Sequence, residues 1–367
     1  MYYSIFMLDV VLRVLAFGAG AALVVYTVMG AIRSFVLPRN DLVIINKWMY
    51  WVIRKLFTAL TSLFKTFAAR DRIMAMYAPV SLVALEIVWL VLVALGYTAI
   101  YWAIGEGSLI DCFKFSNSSL LTIGSEKADS LAGDILSYSE ATLGLLLITL
   151  LISYLPTIYQ AYSRRELVVA RLERRAGTPV SALGLLVWLQ RTSLLADEGP
   201  QWEQWEEWCM ELEETHTSLP VLAYFRSPQP GRSWVTALGT ILDTAALRIS
   251  TVDKPRDARI ELCFKAGCIA LTRIARFFQE RTRSKPAPYL GPTDPMQNPS
   301  HEEFLRAYEL LSETDVPVVA DKEAAWNKYH LLRSRYTHAV EYLAKLTMAP
   351  AIKPVAPHKE DVKEANQ

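Results

Sequence analysis

The chain has 367 residues, of which 52% are hydrophobic, and a formal net charge of +1. A mean hydropathy of +0.21 is typical of a membrane protein with a water-soluble part, and the near-neutral charge excludes bulk electrostatic attraction to nucleic acid. The four cysteines form no CxxC pair and no cluster with histidine, so we expect neither a zinc site nor a disulfide framework.

The first predicted element is a transmembrane helix within residues 1–40. Residues 14–32 carry no charged side chain and are long enough to cross a bilayer. Asp9 and Arg13 precede this run, which is not the basic start of a cleaved signal peptide. The segment is therefore expected to be a membrane span.

Residues 41–72 predict a basic amphipathic helix. Apolar side chains recur at helical spacing from Ile45 to Phe67, and basic side chains such as Lys47 and Arg54 lie on the other side. A helix of this composition prefers the plane of the membrane surface. The alternative is a fourth span, which is less favoured because its lysines and arginines are costly in lipid.

A short amphipathic segment lies between two further apolar runs. The runs cover residues 73–104 and 133–162, and the segment between them, 105–132, contains GSLIDCFKFSNSSLLTIG. This segment is too short to span a bilayer, yet apolar enough to enter one and return. Irregular backbone at membrane depth is tolerated where it lines water or is buried in protein. The pattern predicts an outer helix, a re-entrant pore helix and an inner helix.

These elements, with Thr122, Ile123 and Gly124 after the pore helix, resemble the pore module of potassium-channel-like proteins. The resemblance is to the bacterial type with one pore hairpin per chain, and it covers roughly residues 73–175. It implies a homotetramer whose filter carbonyls, with the threonine hydroxyl, replace the water around a permeating K⁺ or Na⁺ ion.

The sequence departs from the family pattern directly after Gly124. The pattern continues with an aromatic residue, a second glycine and an aspartate, whereas this chain has Ser125, Glu126 and Lys127. The aromatic residue braces the filter, and the second glycine permits a left-handed backbone. We therefore expect an atypical, weakly selective filter that includes Ser125 and Glu126.

The predicted inner helix has a stripe of hydroxyl side chains on one face. We interpret this stripe as the lining of a water-filled path; the alternative is that the hydroxyls bond back to carbonyls against a neighbouring helix. Pro156 removes a backbone hydrogen bond and predicts a bend, which makes it the candidate gate hinge. The members of the stripe are Thr142, Thr149, Ser153 and Thr157.

Two of the acidic residues in the predicted pore module, Glu86 and Glu140, are candidates for a specific role. Glu86 lies near the middle of the outer helix, where an ionisable group usually faces the bundle interior and has a role. Two roles are considered for Glu86: coupling to gating, or a structural hydrogen bond. Glu140 begins the inner helix, where a carboxylate suits the helix dipole or braces the pore loop.

Beyond the pore module, residues 163–349 predict an all-helical cytoplasmic domain. The domain has no glycine-rich nucleotide loop, no Walker pattern and no Ser-His-Asp set, so we expect neither a cofactor nor an enzyme. Residues 350–367 are proline-rich with mixed charges, as in a disordered tail. After continuation of the inner helix, the predicted helices are 180–196, 200–217, 232–250, 256–283, 301–313 and 321–348.

A glutamate-rich run over 203–214 contains Trp205 and Trp208 and follows Trp202. We interpret it as a helix with a solvated acidic face and tryptophans that pack inward. A metal site is less favoured, because no loop of the calcium-binding type accompanies the run.

The sequence thus predicts an all-α membrane protein with several spans. Basic residues in 33–72 and 163–175 place these segments in the cytoplasm by the positive-inside rule, with the N-terminus outside a bacterial inner membrane. The functional hypothesis is a tetrameric cation channel gated by the cytoplasmic domain. The sequence does not identify the protein or ligand that this domain would bind. The alternatives are a non-conducting membrane-anchored scaffold or signalling protein, and a poorly selective efflux pore.

Overall fold

The computed structural model describes residues 2–35, 44–177, 180–229, 231–282, 299–350 and 355. Over these residues the regular structure is helical and contains no strand, with one isolated antiparallel bridge between Val252 and Val318. The all-α prediction is confirmed at this level. The tail predicted over 350–367 lies outside the described residues, apart from Pro350 and Val355.

Three helical stretches are long and apolar enough to cross a membrane, and their number agrees with the three predicted spans. They are Phe6–Phe35, Ala68–Ile104 and Leu131–Ala176. The chain divides into two compact units, which are described separately: residues 1–58 with 77–159, and residues 59–76 with 160–367.

The first unit is built around two long helices that pack side by side. Helix α1 (Tyr2–Phe35) lies against α4 (Tyr77–Ile104) over much of its length. The backbones approach closely, since a Cβ atom added to Gly20 would lie 2.5 Å from the carbonyl oxygen of Gly96. Small residues permit this approach, and close packing of this kind stabilises helix pairs in lipid. The unit also contains most of α2 (Ile44–Ser62), α5 (Leu109–Leu120) and the first part of α6 (Leu131–Ala176).

The helix predicted within 41–72 is two helices in the structure, α2 and α3 (Phe67–Ala75). Thr66 has an extended backbone and separates them. Helix α2 is amphipathic, but not apolar enough to count among the candidate spans. Its buried apolar residues are Met49, Ile53 and Phe57, whereas part of the predicted apolar face stays exposed together with two tryptophans: Trp48, Trp51, Val52, Leu56 and Leu60.

The second unit has one largely buried helix, α9 (Trp234–Thr251), with other helices packed around it. The buried tryptophans Trp202, Trp205 and Trp208 face this core, while the glutamates of the same helix are exposed or half-buried, as predicted. The remaining helices are α7 (Ala182–Arg191), α8 (Gly199–Ser218), α10 (Ala258–Thr282), α11 (His301–Glu313), α12 (Lys322–Arg333) and α13 (Thr337–Thr347), with 3-10 turns at Leu194–Asp197 and Pro220–Tyr224.

The prediction of a single helix over 321–348 was wrong, because α12 and α13 are separated by a turn. The physical reason is a buried carboxylate on α9. Arg333 Nε lies 2.7 Å from Asp243 Oδ1, and the Tyr336 hydroxyl donates to the same oxygen at 2.5 Å. Asp243 has no exposed surface, and a buried charge is tolerated only when it is paired and hydrogen-bonded. The turn brings both donors to one acceptor.

A second buried cluster joins α6 to the rest of this unit. The Arg165 guanidinium donates to the carbonyl oxygens of Leu222 and Phe225 at 2.9 Å and 2.7 Å. Its Nη1 also lies 3.3 Å from His216 Nε2, while His216 Nδ1 lies 2.9 Å from the Leu212 carbonyl oxygen. This geometry suits a neutral imidazole that donates from Nδ1. Burial, with the nearby Arg165 cation, holds the pKa of His216 well below its ordinary value of 6.5.

We expect acidification to destabilise the second unit through His216. The folded-state pKa lies below the unfolded value near 6.5, so the unfolded chain binds more protons and stability falls as the pH drops from 6.5 toward the folded pKa. One proton contributes at most about 1.4 kcal/mol per pH unit in that window. His216→Gln removes the titration and should flatten this part of the profile, measured by tryptophan fluorescence during unfolding of the full-length protein in detergent.

The exposed histidine His330 provides the control. His330→Gln should leave the pH profile as in the unsubstituted protein. Equal flattening by both variants would assign the pH dependence to groups other than His216.

Candidate functional site

The candidate site is the hairpin formed by α4, the short helix α5, the turn after it and the first part of α6. Helix α5 begins at Ser108, whose hydroxyl oxygen accepts from the Asp111 N–H at 3.3 Å, and it ends after Leu120. Its 12 residues extend about 18 Å at 1.5 Å per residue, short of the roughly 30 Å of a bilayer core. The helix packs against α4, so the chain turns back without a further span.

A buried carboxylate joins the three helices of the hairpin. Glu140 on α6 has no exposed surface. Its Oε2 accepts from the Tyr101 hydroxyl of α4 at 2.9 Å, and its Oε1 accepts from the Ser116 hydroxyl of α5 at 2.5 Å. Ser116 Oγ also lies 3.0 Å from the Ala94 carbonyl oxygen on α4. Through these contacts Glu140 links α6 to α4 and to the short helix α5.

The end of α5 rests directly on the backbone of α6. A Cβ atom added to Gly144 would lie 2.2 Å from the Leu120 carbonyl oxygen and 3.2 Å from its carbonyl carbon. Both are backbone atoms, which cannot move aside as a flexible side chain does. Glycine is therefore required at residue 144 for α5 to end where it does.

The turn after α5 folds back over one serine. The Ile123 N–H donates to the Ser118 carbonyl oxygen at 2.8 Å. Ser118 Oγ accepts from the N–H groups of Ser125 and Glu126 at 2.9 Å and 3.3 Å. Thr122 has φ 55°, a left-handed backbone that is uncommon for a residue with a side chain. Ser118 thus satisfies the N–H groups of Ile123, Ser125 and Glu126 and fixes the path of the turn.

A further carboxylate fixes the return of the chain into α6. Glu106 follows α4, and its Oε2 accepts from the Asp129 N–H at 2.7 Å. The Ser130 hydroxyl donates to Oε1 of the same side chain, and Ser130 Oγ accepts from the Gly133 N–H at 3.0 Å. The two ends of the 105–130 connection are therefore held together.

The residues predicted for the filter all lie on this turn and are exposed. Ile123 has 64% of its surface exposed, which is unusual for isoleucine in a folded chain. No described residue donates a hydrogen bond to the carbonyl oxygens of residues 121–126. The turn therefore offers acceptors, with its donors used internally. The predicted filter residues are Thr122, Ile123, Gly124, Ser125 and Glu126.

The hydroxyl stripe predicted for the inner helix is also exposed on α6. Three of its members donate to carbonyls of their own helix: Thr142 to Tyr138 at 2.8 Å, Ser153 to Leu150 at 2.9 Å and Thr157 to Ser153 at 3.5 Å. Thr149 is exposed as well. Helix α6 continues through Pro156, which lies within its 46 residues.

Glu86 is buried on α4. Both of its carboxylate oxygens are enclosed, and no described residue forms a hydrogen bond with them. The indole N–H of Trp89, one turn along the same helix, is also enclosed without a described partner. A structural hydrogen bond, one of the two roles considered for Glu86, is not found among the described residues.

Sequence reasoning missed the groups that position the turn, namely Ser116, Ser118, Tyr101 and Glu106. One signal was present, because residues 116–119 are four consecutive polar residues inside an otherwise apolar segment. Polar side chains in such a segment need partners. The identity of those partners depends on α4 and α6, which are distant in sequence.

No protein-family model, curated protein or solved structure matches this chain. Within the described residues, no group of three or more His, Cys, Asp or Glu side chains is arranged to hold a metal ion. The fold and the hairpin define an all-helical protein with three helices apolar enough to span a membrane.

We expect Gly144→Ala to displace the end of α5. The added methyl group overlaps the Leu120 carbonyl, and an overpacked contact of this kind costs about 1–3 kcal/mol. The measurements are the melting temperature in detergent and hydrogen exchange of residues 109–126, which should become less protected.

Gly18→Ala is the matched control, since nothing lies within 4 Å of the added Cβ in α1. Alanine is the better helix former by up to about 1 kcal/mol, so this variant should be neutral or slightly more stable. The same loss of protection in both variants would show that the Gly144 contact does not hold α5.

Proposed function

We propose that the protein is a homotetrameric cation channel in which the turn over residues 121–126 forms the narrow part of the pathway. This proposal rests on one observation, the difference between the N–H groups and the carbonyl oxygens of the turn. Its N–H groups donate to α5, mainly to Ser118, while its carbonyl oxygens receive no hydrogen bond from a described residue. Carbonyl oxygens of this kind replace the hydration shell of a monovalent cation, and the carboxyl end of α5 adds a partial negative charge.

Symmetric association follows from the hairpin, because one turn cannot enclose a path. Rotational symmetry would supply the missing walls, and four copies is the number implied by the resemblance. Leu121 and Ile123 are 47% and 64% exposed beside the free carbonyls. Burial of these apolar side chains between copies would favour assembly.

The exposed hydroxyl stripe on α6 supports a path lined by this helix. Thr142 and Ser153 satisfy their hydrogen atoms within the helix, which leaves their oxygen lone pairs available to water or a cation. In this proposal Pro156 is the gate hinge, and the second unit biases the gate from the cytoplasm of a bacterial cell. The basic segments at 33–72 and 163–175 favour this orientation.

Reconstituted protein tests the proposal. Liposomes containing the purified chain should show currents that favour cations over chloride, with only a small change in reversal potential when K⁺ is exchanged for Na⁺. Native mass spectrometry in nanodiscs should give a tetramer. A stable monomer without current would favour the non-conducting scaffold, and a reversal potential near the ideal potassium value would contradict the weakly selective filter.

A charge-neutralising variant tests the outer mouth in the same recordings. A ring of Glu126 carboxylates attracts cations, so Glu126→Gln should lower cation conductance, most strongly at low salt where screening is weak. Glu302→Gln on α11, where the side chain is 75% exposed, is the control and should have no effect. Unchanged conductance of the Glu126 variant at low salt would remove this residue from the pathway.

The hinge is tested with a pair of proline variants. Pro156→Ala restores an N–H inside α6, so it should straighten the helix and change open probability without changing selectivity. Pro79→Ala is the control, because residue 79 lies in the first turn of α4, where no intrahelical bond is lost. Altered selectivity with unchanged gating in the Pro156 variant would place the constriction elsewhere.

A further inference from the structure

A cleft in the second unit lies where α9 begins and α13 ends. The cleft is open to solvent, and the cavity within it has a volume of about 20 Å³. Its polar lining includes Arg226, Ser227, Arg232 and Ser233, together with Thr347, the last residue of α13. The two arginines and the two serine hydroxyls supply hydrogen-bond donors to the cleft.

Two donors in this cleft are enclosed and make no hydrogen bond with the described residues. Ser227 is only 8% exposed, and its hydroxyl is one of the two. The Nε–H of Arg232 is the other. A buried donor without an acceptor costs about 1–3 kcal/mol. Unused donors that line the same cleft therefore indicate that an acceptor from outside the chain binds there.

The start of α9 contributes to the same cleft. Ser233 is the N-cap of this 18-residue helix, and its Oγ accepts from the Val235 N–H at 3.2 Å. The amino end of a helix carries a partial positive charge and favours anions. The helix terminus and the enclosed donors both favour a negatively charged ligand.

The charges of the two arginines are already shared with carboxylates from other helices. Arg226 forms an ion pair with Asp71 on α3, and Arg232 forms one with Glu173 on α6. Arg226 also donates to the Thr347 carbonyl oxygen at 2.5 Å. The cations are therefore held in place before any ligand arrives, while Arg232 retains its Nε–H for that ligand.

We propose that this cleft binds the phosphate group of an anionic ligand. The phosphate oxygens accept from the Ser227 hydroxyl and from Arg232 Nε–H, and the start of α9 and the Arg226 cation add electrostatic attraction. Charge-assisted hydrogen bonds between arginine and phosphate are the strong class of such contacts. The phosphate belongs either to a soluble compound or to a phospholipid headgroup.

Binding at this cleft would be transmitted to two helices. The phosphate competes with Asp71 and Glu173 for the arginines, and these carboxylates lie on the helix before α4 and on α6. Tyr162 of α6 also donates to the Arg226 carbonyl oxygen at 3.0 Å. An effect on conduction rests on the proposed function, whereas binding itself does not.

Phosphate binding is tested on the full-length protein in detergent. Inorganic phosphate, added at constant ionic strength against chloride, should bind saturably by calorimetry and raise the melting temperature. The second arm compares nanodiscs of phosphatidylcholine alone with nanodiscs containing one-fifth phosphatidic acid. Stabilisation by inorganic phosphate assigns a soluble source, and stabilisation only by phosphatidic acid assigns a lipid source. No saturable effect in either arm overturns the proposal.

Two conservative variants assign the effect to the cleft. Ser227→Ala and Arg232→Lys should each weaken binding about tenfold, because each removes one donor and the lysine keeps the charge toward Glu173. Arg273→Lys is the matched control, since Arg273 also pairs with a glutamate but lies outside the cleft. Melting temperatures without phosphate verify that each variant folds. Binding that is unchanged in both cleft variants overturns the site, even if the protein conducts.

Discussion

The hairpin depends on one buried carboxylate. Glu140 is acceptable in its enclosed position because Tyr101 and Ser116 donate to its two oxygens, and these donors belong to two other helices. Removing either helix would leave one oxygen of the carboxylate without its donor, at a cost of about 1–3 kcal/mol or more for a charged group. The interaction thus specifies the arrangement of α4, α5 and α6, and through the end of α5 it also positions Ser118 and the turn.

In the second unit, too, buried carboxylates are satisfied by donors from other parts of the chain, and here the donors are arginines. Arg333 pairs with Asp243 and Arg248 pairs with Glu198, and all four side chains are at least nine-tenths buried. A buried ion pair contributes little net stability compared with apolar packing, yet breaking it is costly. These pairs therefore contribute little to the stability of the native packing. Their main effect is to make alternative packings of the helices, in which a pair would be broken, unfavourable.

Much of the fold follows from the sequence, because charge-free runs and helical periodicity report local structure. The spans, the short helix α5 and the inward tryptophans of α8 belong to this class. The break between α12 and α13 does not, since its cause is Asp243, about 90 residues earlier in the chain. The role of Ser118 was not predicted either, because a serine within a helix gives no indication in the sequence that it will accept hydrogen bonds from a following turn. The residues predicted as a filter were located from a motif, but the hydrogen bonds that link their turn to Ser118 were not predicted.

Helix α6 continues through Pro156, and its length has a mechanical consequence. Its 46 residues measure about 69 Å, and the part after Pro156 accounts for about 30 Å of this. A change of about 10° at the proline would therefore move the far end by about 5 Å, the pitch of one helical turn. Small changes of angle at Pro156, where one backbone hydrogen bond is missing, would therefore displace the end of α6 by about the length of a side chain.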